Sequence, residues 1–157
     1  MNNSDVSADL TLDEVRDNFI SQWGAFGSHW GINRTMAQIH ALLMTGLEAL
    51  STDEVMAKLS VSRGNAHTNL KELVSWGLVR IVVKKGDRKE YFDAERDVWK
   101  IFTIILRERQ RREIDPALDL LRNCQEETKG LEGAEAEAFR NQVKELENFV
   151  SFARNLG

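Results

Sequence analysis

Apolar residues recur every three or four positions over several long stretches of this chain, a spacing that predicts amphipathic helices. A first helix is predicted from about Thr11, with acidic residues in its first turn. A break at 31–33 precedes a second helix, which Asn33 is suited to cap. Beyond the middle of the chain the helical pattern returns, capped by Asp97. Pro116, preceded by a possible capping Asp115, predicts a kink or a new start, and a final helix follows a loop near 128–130.

The first predicted helix carries two parallel stripes. Its aromatic residues recur at intervals of four, three and four: Phe19, Trp23, Phe26 and Trp30. The second stripe consists of small residues, Gly24, Gly27 and Gly31. Each helical glycine costs about 1 kcal/mol relative to alanine, so three of them predict that another backbone approaches closely. The aromatic spacing is typical of rings that pack in a helical core.

Two short helical patterns separated by a tight turn lie in the middle of the chain. Ser51 is suited to cap the first, with Glu54 three residues on to close a capping box. The corner at 60–61 leaves room only for a sharp turn, and Ser62 is suited to cap the second helix. Gly77 ends that helix, because glycine adopts positive φ readily. Two helices joined in this way predict a helix-turn-helix.

The second of these helices presents a polar face. Ala66, Leu70 and Leu73 define its buried side. The residues that then face away, or lie on the flanks, are small, polar or cationic: Gly64, Asn65, His67, Thr68, Lys71 and Ser75. Arg63 is expected to be free in the first turn. A helix fits the DNA major groove, where Arg pairs with guanine and Asn with adenine, and its N-terminus favours phosphate.

A strand, a cationic turn and a return strand follow, which together predict a hairpin over about residues 78–92. The turn carries four cations, Lys84, Lys85, Arg88 and Lys89, around Gly86 and Asp87. In isolation a solvated hairpin tip would explain them equally well. Directly after a helix-turn-helix, they favour contact with phosphate or the minor groove, as in the wing of a winged helix.

These segments resemble the winged-helix domain of the MarR superfamily, and more narrowly its GbsR-type branch, whose members are regulators linked to choline and glycine betaine. The matching stretches are residues 30–43, 51–79 and 84–99. The resemblance implies a mainly helical fold with a small β-hairpin wing, and N- and C-terminal dimerisation helices. The superfamily wing usually reads Asp-x-Arg, whereas here Lys89 takes the last position, so Arg88 or Lys89 is the cation that enters the groove.

The resulting predictions for the site fall into three groups. The residues predicted to bind DNA are Ser62, Arg63, Asn65, His67, Thr68, Lys71, Lys84, Lys85, Arg88 and Lys89. The possible phosphate contacts, partly implied by the resemblance, are Arg34, Thr35, Ser51 and Thr52. Because relatives on this branch respond to quaternary ammonium solutes, which aromatic faces bind, a possible ligand pocket consists of Trp23, Phe26, Trp30, Trp99 and Phe102. Core packing is the competing interpretation of those rings.

Length and composition fit this organisation. The 157 residues suffice for one domain with an appendage, 42% of them are apolar, and no apolar run reaches membrane-spanning length. Together with the lack of a signal-peptide pattern, this predicts a cytoplasmic protein that does not enter the membrane. We predict a disordered N-terminus at 1–10, a winged helix-turn-helix with its N-terminal helix at 11–96, and a helical dimerisation region at 97–157.

Charge is divided unevenly along the chain. The net charge is −4, yet residues 51–92 contain eight Lys and Arg against five acids, a net +3, and the remainder carries −7. An acidic body with a basic tip orients a protein on DNA. The arginine-rich stretch at 107–113 is interpreted as a solvated helical face, with a second DNA contact as the alternative.

No catalytic or metal-binding arrangement is evident in the sequence. The three histidines are isolated, and Cys124, which follows Leu120, Leu121 and Arg122, is interpreted as a small buried hydrophobe. We therefore predict no enzyme activity, no cofactor and no metal. The leading hypothesis is a homodimeric, ligand-responsive transcriptional regulator, a repressor, on an inverted-repeat DNA operator. The alternatives are a winged helix used for protein assembly and a constitutive, ligand-free DNA-binding protein.

Overall fold

The computed structural model describes residues 10–156, so the disorder predicted for 1–10 falls almost wholly outside the described residues. The elements, in chain order, are α1 (Leu12–His29), α2 (Arg34–Thr45), β1 (Leu50–Ser51), α3 (Thr52–Leu59), α4 (Arg63–Trp76), β2 (Val79–Val83), β3 (Glu90–Ala94), α5 (Val98–Arg109), a π-helical segment (Gln110–Ile114), α6 (Asp115–Glu127) and α7 (Ala134–Asn155). The predicted mainly helical fold with a hairpin wing is confirmed. The chain forms two compact units, divided between Val98 and Trp99.

Side-chain caps set the helix boundaries of the first unit, as the sequence predicts for Asn33, Ser51 and Ser62. Thr11 and Ser51 each close a capping box with the glutamate three residues on. Asn33 accepts hydrogen bonds from two backbone amides at the start of α2, and Ser62 accepts one from the Asn65 amide. Gly77 ends α4 with φ of 86°, a conformation that a residue with a Cβ adopts only at a cost.

Glycines, and not the aromatic rings, form the buried face of α1. A Cβ on Gly27 would lie 2.6 Å from the Ala37 Cβ, and one on Gly24 would lie 2.5 Å from the Gln38 Cγ. The close approach of α2 is therefore confirmed at these two positions. Gly31 is not part of the helix, contrary to the prediction, and lies in the turn after α1 with φ of 77°.

The expectation that the aromatic stripe of α1 is core is also wrong within the described chain. The four rings remain exposed because the buried face of α1, formed by Ile20, Gly24 and Gly27, is a different side of the helix. Their exposed fractions run from 36% for Phe19 to 60% for Phe26.

The core of the first unit lies between α2, α3, α4 and the sheet. Its fully buried side chains include Ile39, Leu43, Val55, Leu70 and Leu73. Burying each of them contributes about 1.5–3 kcal/mol. Leu70 and Leu73 belong to the face of α4 that the sequence predicts to be buried, so this core fixes which side of α4 is turned outward.

The wing belongs to a three-stranded antiparallel sheet with strand order β1-β3-β2. The predicted hairpin is β2 and β3, in which Ile81 faces Phe92. The two-residue strand β1 is not anticipated from the sequence, because two residues are too short for an alternating pattern. It pairs Ser51 with Tyr91 and so connects the start of α3 to the wing.

The second unit contains a π-helical segment where the sequence predicts a capped start. Asp115 is helical, with φ of −61° and ψ of −45°, so the predicted cap at Asp115 is wrong. Pro116 cannot donate a backbone hydrogen bond to the preceding turn, and a wider π turn accommodates this defect without ending the helix. Beyond it α6 packs on α7 around the buried Leu118 and Val143.

Candidate nucleic-acid interface

The polar face of α4 is open to solvent. Ala66, Leu70 and Leu73 are buried as predicted. All ten residues predicted to bind DNA have exposed side chains: Ser62, Arg63, Asn65, His67, Thr68, Lys71, Lys84, Lys85, Arg88 and Lys89. Their roles stay predictions, but the accessibility that those roles require is present.

Arg63 is not free, contrary to the expectation from the sequence. Its guanidinium donates a hydrogen bond from Nη2 to Oδ1 of Asp53, a residue in the first turn of α3. Both side chains are at least half exposed, Arg63 at 65% and Asp53 at 51%. Because exposed ion pairs are weak, this contact orients Arg63 without locking it.

Asn65 is exposed and yet hydrogen-bonded within the protein. Its side-chain oxygen accepts a bond of 2.7 Å from Nδ2 of the buried Asn69. Its own Nδ2 donates to Oγ1 of Thr35 at 3.5 Å. Asn65 therefore links α4 to the first turn of α2, and pairing with adenine would require it to exchange these partners.

The tip of the wing is organised around Asp87. Its carboxylate accepts hydrogen bonds from the Lys89 amide at 2.9 Å and from the Tyr91 hydroxyl at 2.6 Å. The bond from Tyr91 is the main reason why the pKa of Asp87 lies below its ordinary value, and it raises the pKa of Tyr91. Nζ of Lys84 lies 4.0 Å from the centroid of the Tyr91 ring, a cation–π contact.

The two cations that the sequence leaves as alternatives have different surroundings. Nζ of Lys89 lies 3.9 Å from Oδ2 of Asp53 and is thereby directed back toward α3. Arg88 is exposed and forms no ion pair within residues 10–156. Of the two, Arg88 is the side chain that can extend from the wing without giving up an existing contact.

The possible phosphate contacts differ in accessibility. Arg34 is exposed at the start of α2, and Thr35 and Thr52 are half-buried. Ser51 is only 5% exposed, and its hydroxyl accepts a bond from the Glu54 amide. The prediction for Ser51 is corrected on that ground, because its cap role and its burial in β1 close the hydroxyl to a phosphate.

The aromatic residues predicted to form a ligand pocket are exposed in both units. Trp23 stacks on Phe19 with ring centroids 5.5 Å apart, and it lies 6.4 Å from the Phe26 ring. Trp99 and Phe102 lie on α5, with exposed fractions of 79% and 49%. The pocket stays a prediction.

Within residues 10–156 no cluster of three or more potential metal-binding side chains occurs. No helix of this part of the chain is long and apolar enough to cross a membrane. Cys124 is half-buried, and His40 is buried on α2.

Comparison with known proteins agrees with this geometry. The MarR family model matches residues 30–90, which run from the turn before α2 to the start of β3. Residues 30–90 are therefore similar in sequence to the MarR family. The match covers the segments that hold the exposed face of α4 and the wing.

One curated relative is the HTH-type transcriptional repressor GbsR of Bacillus subtilis (strain 168), 25% identical to this chain over 114 residues. The alignment covers 73% of this chain and 63% of the repressor, so the chain spans less than two thirds of that relative's length. A crystal structure of a transcriptional regulator superposes with a TM-score of 0.62 at 23% identity, covering 90% of this chain and 96% of that one. This likeness shows the shared fold.

The sequence alone does not single out the acidic residues of this candidate interface. From the sequence, Asp53 is expected only to complement the helix dipole as an acidic residue in the first turn of α3. Its position along the chain does not predict the contact with Arg63. The Asp87–Tyr91 bond offered a clearer signal, because an Asp in a hairpin turn with an aromatic hydroxyl four residues on can close the turn.

Proposed function

We propose that this protein is a sequence-specific DNA-binding transcriptional regulator, a repressor, that acts as a homodimer on an inverted-repeat operator. The observation that carries the proposal is the exposed polar face of α4 beside a cationic wing tip. The match of residues 30–90 to the MarR family model supports it, as does the similarity to a protein named a transcriptional repressor.

In this proposal α4 lies in the major groove. Arg63, in the first turn, donates paired hydrogen bonds to guanine. Thr68 and Lys71 follow on the same exposed side and contact base edges or phosphate. The N-terminal amides of α4 add a favourable site for a phosphate.

The wing contacts the flanking minor groove, where we propose that Arg88 is the inserted residue. Lys89 is directed toward Asp53, whereas Arg88 is exposed with no ion pair in the described chain. Arg is also well suited to a narrow minor groove, whose negative potential attracts it. Lys84 and Lys85 supply phosphate contacts at the same tip.

Exposed apolar side chains on the second unit support homodimerisation. Those on α5 and α7 include Trp99, Phe102, Phe139, Leu146, Phe149 and Phe152, each at least 44% exposed. Clusters of exposed apolar residues mark interaction sites, and closed twofold pairing is the commonest form of soluble oligomer. A twofold dimer predicts half-sites about one helical turn apart.

Phe149→Glu is expected to convert the dimer to a monomer, because Phe149 is 68% exposed on α7 and a buried, unpaired carboxylate opposes association. Analytical ultracentrifugation measures the mass. Asn155→Asp adds the same charge at an exposed polar position of α7 and should leave the dimer intact. A monomeric wild-type protein, or a dimeric Phe149→Glu variant, would contradict the assignment of this surface.

We further propose that a quaternary ammonium solute is the effector. The exposed rings of α1 support this proposal, because aromatic faces attract such cations. Choline or glycine betaine is then expected to change operator affinity by roughly 5- to 150-fold, a coupling of 1–3 kcal/mol. Fluorescence anisotropy with labelled operator measures the change, and sodium chloride at equal ionic strength is the control for choline chloride. An unchanged affinity would favour a constitutive, ligand-free DNA-binding protein.

Selection of bound sites from random DNA tests the main proposal. An enriched inverted repeat, with half-sites about one helical turn apart, is the expected result. Retention of no DNA would favour use of the winged helix in protein assembly. Enrichment of a single unpaired half-site would contradict the dimeric arrangement alone.

A further inference from the structure

The geometry points to Asp53 as a specificity-determining residue of this interface, which holds Arg63 and Lys89 away from phosphates and so suppresses binding to non-specific DNA. This inference rests on the proposed DNA-binding function. Asp53 is an acidic residue that lies beside Arg63 and Lys89 on the surface proposed to bind DNA, which is itself negatively charged.

One carboxylate joins the two elements that are to contact DNA. Oδ1 of Asp53 accepts a hydrogen bond from Nη2 of Arg63, on the recognition helix α4. Oδ2 lies 3.9 Å from Nζ of Lys89, in the wing. The β1–β3 pairing brings Asp53 close to Lys89. Ser51 lies opposite Tyr91, Asp53 follows Ser51 by two positions, and Lys89 precedes Tyr91 by two.

Asp53 affects non-specific and specific complexes differently. Non-specific binding comes from phosphate contacts made by Lys and Arg. While Arg63 and Lys89 stay beside Asp53, its negative charge offsets part of their attraction for phosphates. If they leave it, the exposed carboxylate faces the phosphates unpaired. Repulsion between the Asp53 carboxylate and the phosphates therefore lowers the affinity for non-specific DNA.

In the specific complex Arg63 can keep its contact with Asp53. Arg carries five N–H donors, and the bond to Asp53 uses one of them. The remaining donors can pair with guanine while Asp53 orients the guanidinium. The carboxylate therefore positions Arg63 for base recognition. It lowers the affinity mainly of non-specific complexes, in which Arg63 can contact only phosphates.

Asp53→Asn is the test. We expect it to strengthen binding to a duplex of random sequence roughly tenfold at low salt and to steepen its log–log salt slope by about one to two per protomer, because two cations become available to phosphates. Affinity for the operator selected by the wild-type protein should change far less, so the ratio of specific to non-specific affinity falls roughly tenfold. Anisotropy titrations on both duplexes measure the two affinities.

Two further variants separate this effect from a general change of charge. Asp17→Asn removes one negative charge from an exposed position of α1 and should leave the affinity ratio unchanged. In an Arg63→Gln, Lys89→Gln background, adding Asp53→Asn should no longer strengthen non-specific binding, because the cations that it would release are absent. Thermal unfolding of each variant checks that the fold is intact.

The result that would overturn the inference is an Asp53→Asn variant that matches Asp17→Asn on both duplexes, or one that strengthens both complexes equally. Either leaves the proposed function standing, because the wild-type protein would still select an operator. A wild-type protein that binds neither duplex would overturn the proposed function, and the inference with it.

Discussion

The affinity of the dimer for its operator is expected to fall roughly 10³-fold when the salt concentration rises from about 50 to about 200 mM. Three exposed cations, Arg34, Lys71 and Lys85, form no ion pair within residues 10–156 and are available to phosphates. Each phosphate contact adds about 0.9 to the log–log salt slope, so about six contacts per dimer account for the fall. Anisotropy titrations at several salt concentrations give the slope.

Lys85→Ala should flatten that slope by about one and weaken binding almost equally on all sequences, because a phosphate contact carries no base information. Arg63→Ala should instead relax base preference at one position of each half-site. Lys144→Ala removes a charge from an exposed position of α7 and serves as the control, with no expected effect on the slope. A wild-type slope near zero, or equal effects of Lys85→Ala and Arg63→Ala on base preference, would contradict the assigned interface.

Acid is expected to destabilise the protein through His40. Burial lowers the pKa of His40 from 6.5 to about 4, and its Nε2 has no hydrogen-bond partner within residues 10–156. The folded protein therefore keeps His40 neutral between pH 6.5 and about 4, whereas the unfolded chain binds a proton there. Stability rises with pH through this window, so the contribution is complete above pH 6.5 and is lost as the pH falls toward 4.

The expected loss between about pH 7 and about pH 4.5 is about 2 kcal/mol of unfolding free energy. Urea denaturation at the two pH values measures it. His40→Leu, which replaces the imidazole with an apolar side chain, should lose about 2 kcal/mol less than the wild-type protein over the same interval. His29→Gln, at an exposed position of α1, should behave like the wild type. Equal losses in His40→Leu and wild type would show that the unfolding in acid has another origin.

Local chemistry accounts for the parts of the fold that the sequence predicts well. Caps such as Ser51, Ser62 and Asn33 accept hydrogen bonds from amides two or three residues away. Their roles can therefore be predicted from a short stretch of sequence. The buried face of α4 follows in the same way from the spacing of Ala66, Leu70 and Leu73. That face determines which residues point outward, and hence the accessible surface of the candidate site.

The features that the sequence does not predict depend on partners distant along the chain. The aromatic stripe of α1 and its glycine stripe both have helical spacing, and only the position of α2 decides that the glycines are buried. Asp53 and Arg63 are ten residues apart and meet because α3 and α4 cross at the turn. The π-helical segment before Pro116 is a third case, because a helix can either break or widen at a proline.

The short strand β1 ties the wing to the helix-turn-helix through its pairing with β3. A hairpin anchored on one side only could swing relative to α4 and reach phosphates at varied separations. Because β1 pairs with β3, the hairpin is held at a fixed position relative to α4. The turn at Arg88 and the exposed face of α4 therefore lie at a fixed separation. In the proposed complex, the distance between the major-groove and minor-groove contacts of one half-site is then fixed by the protein. Any variation in operator length is expected to fall between the two half-sites.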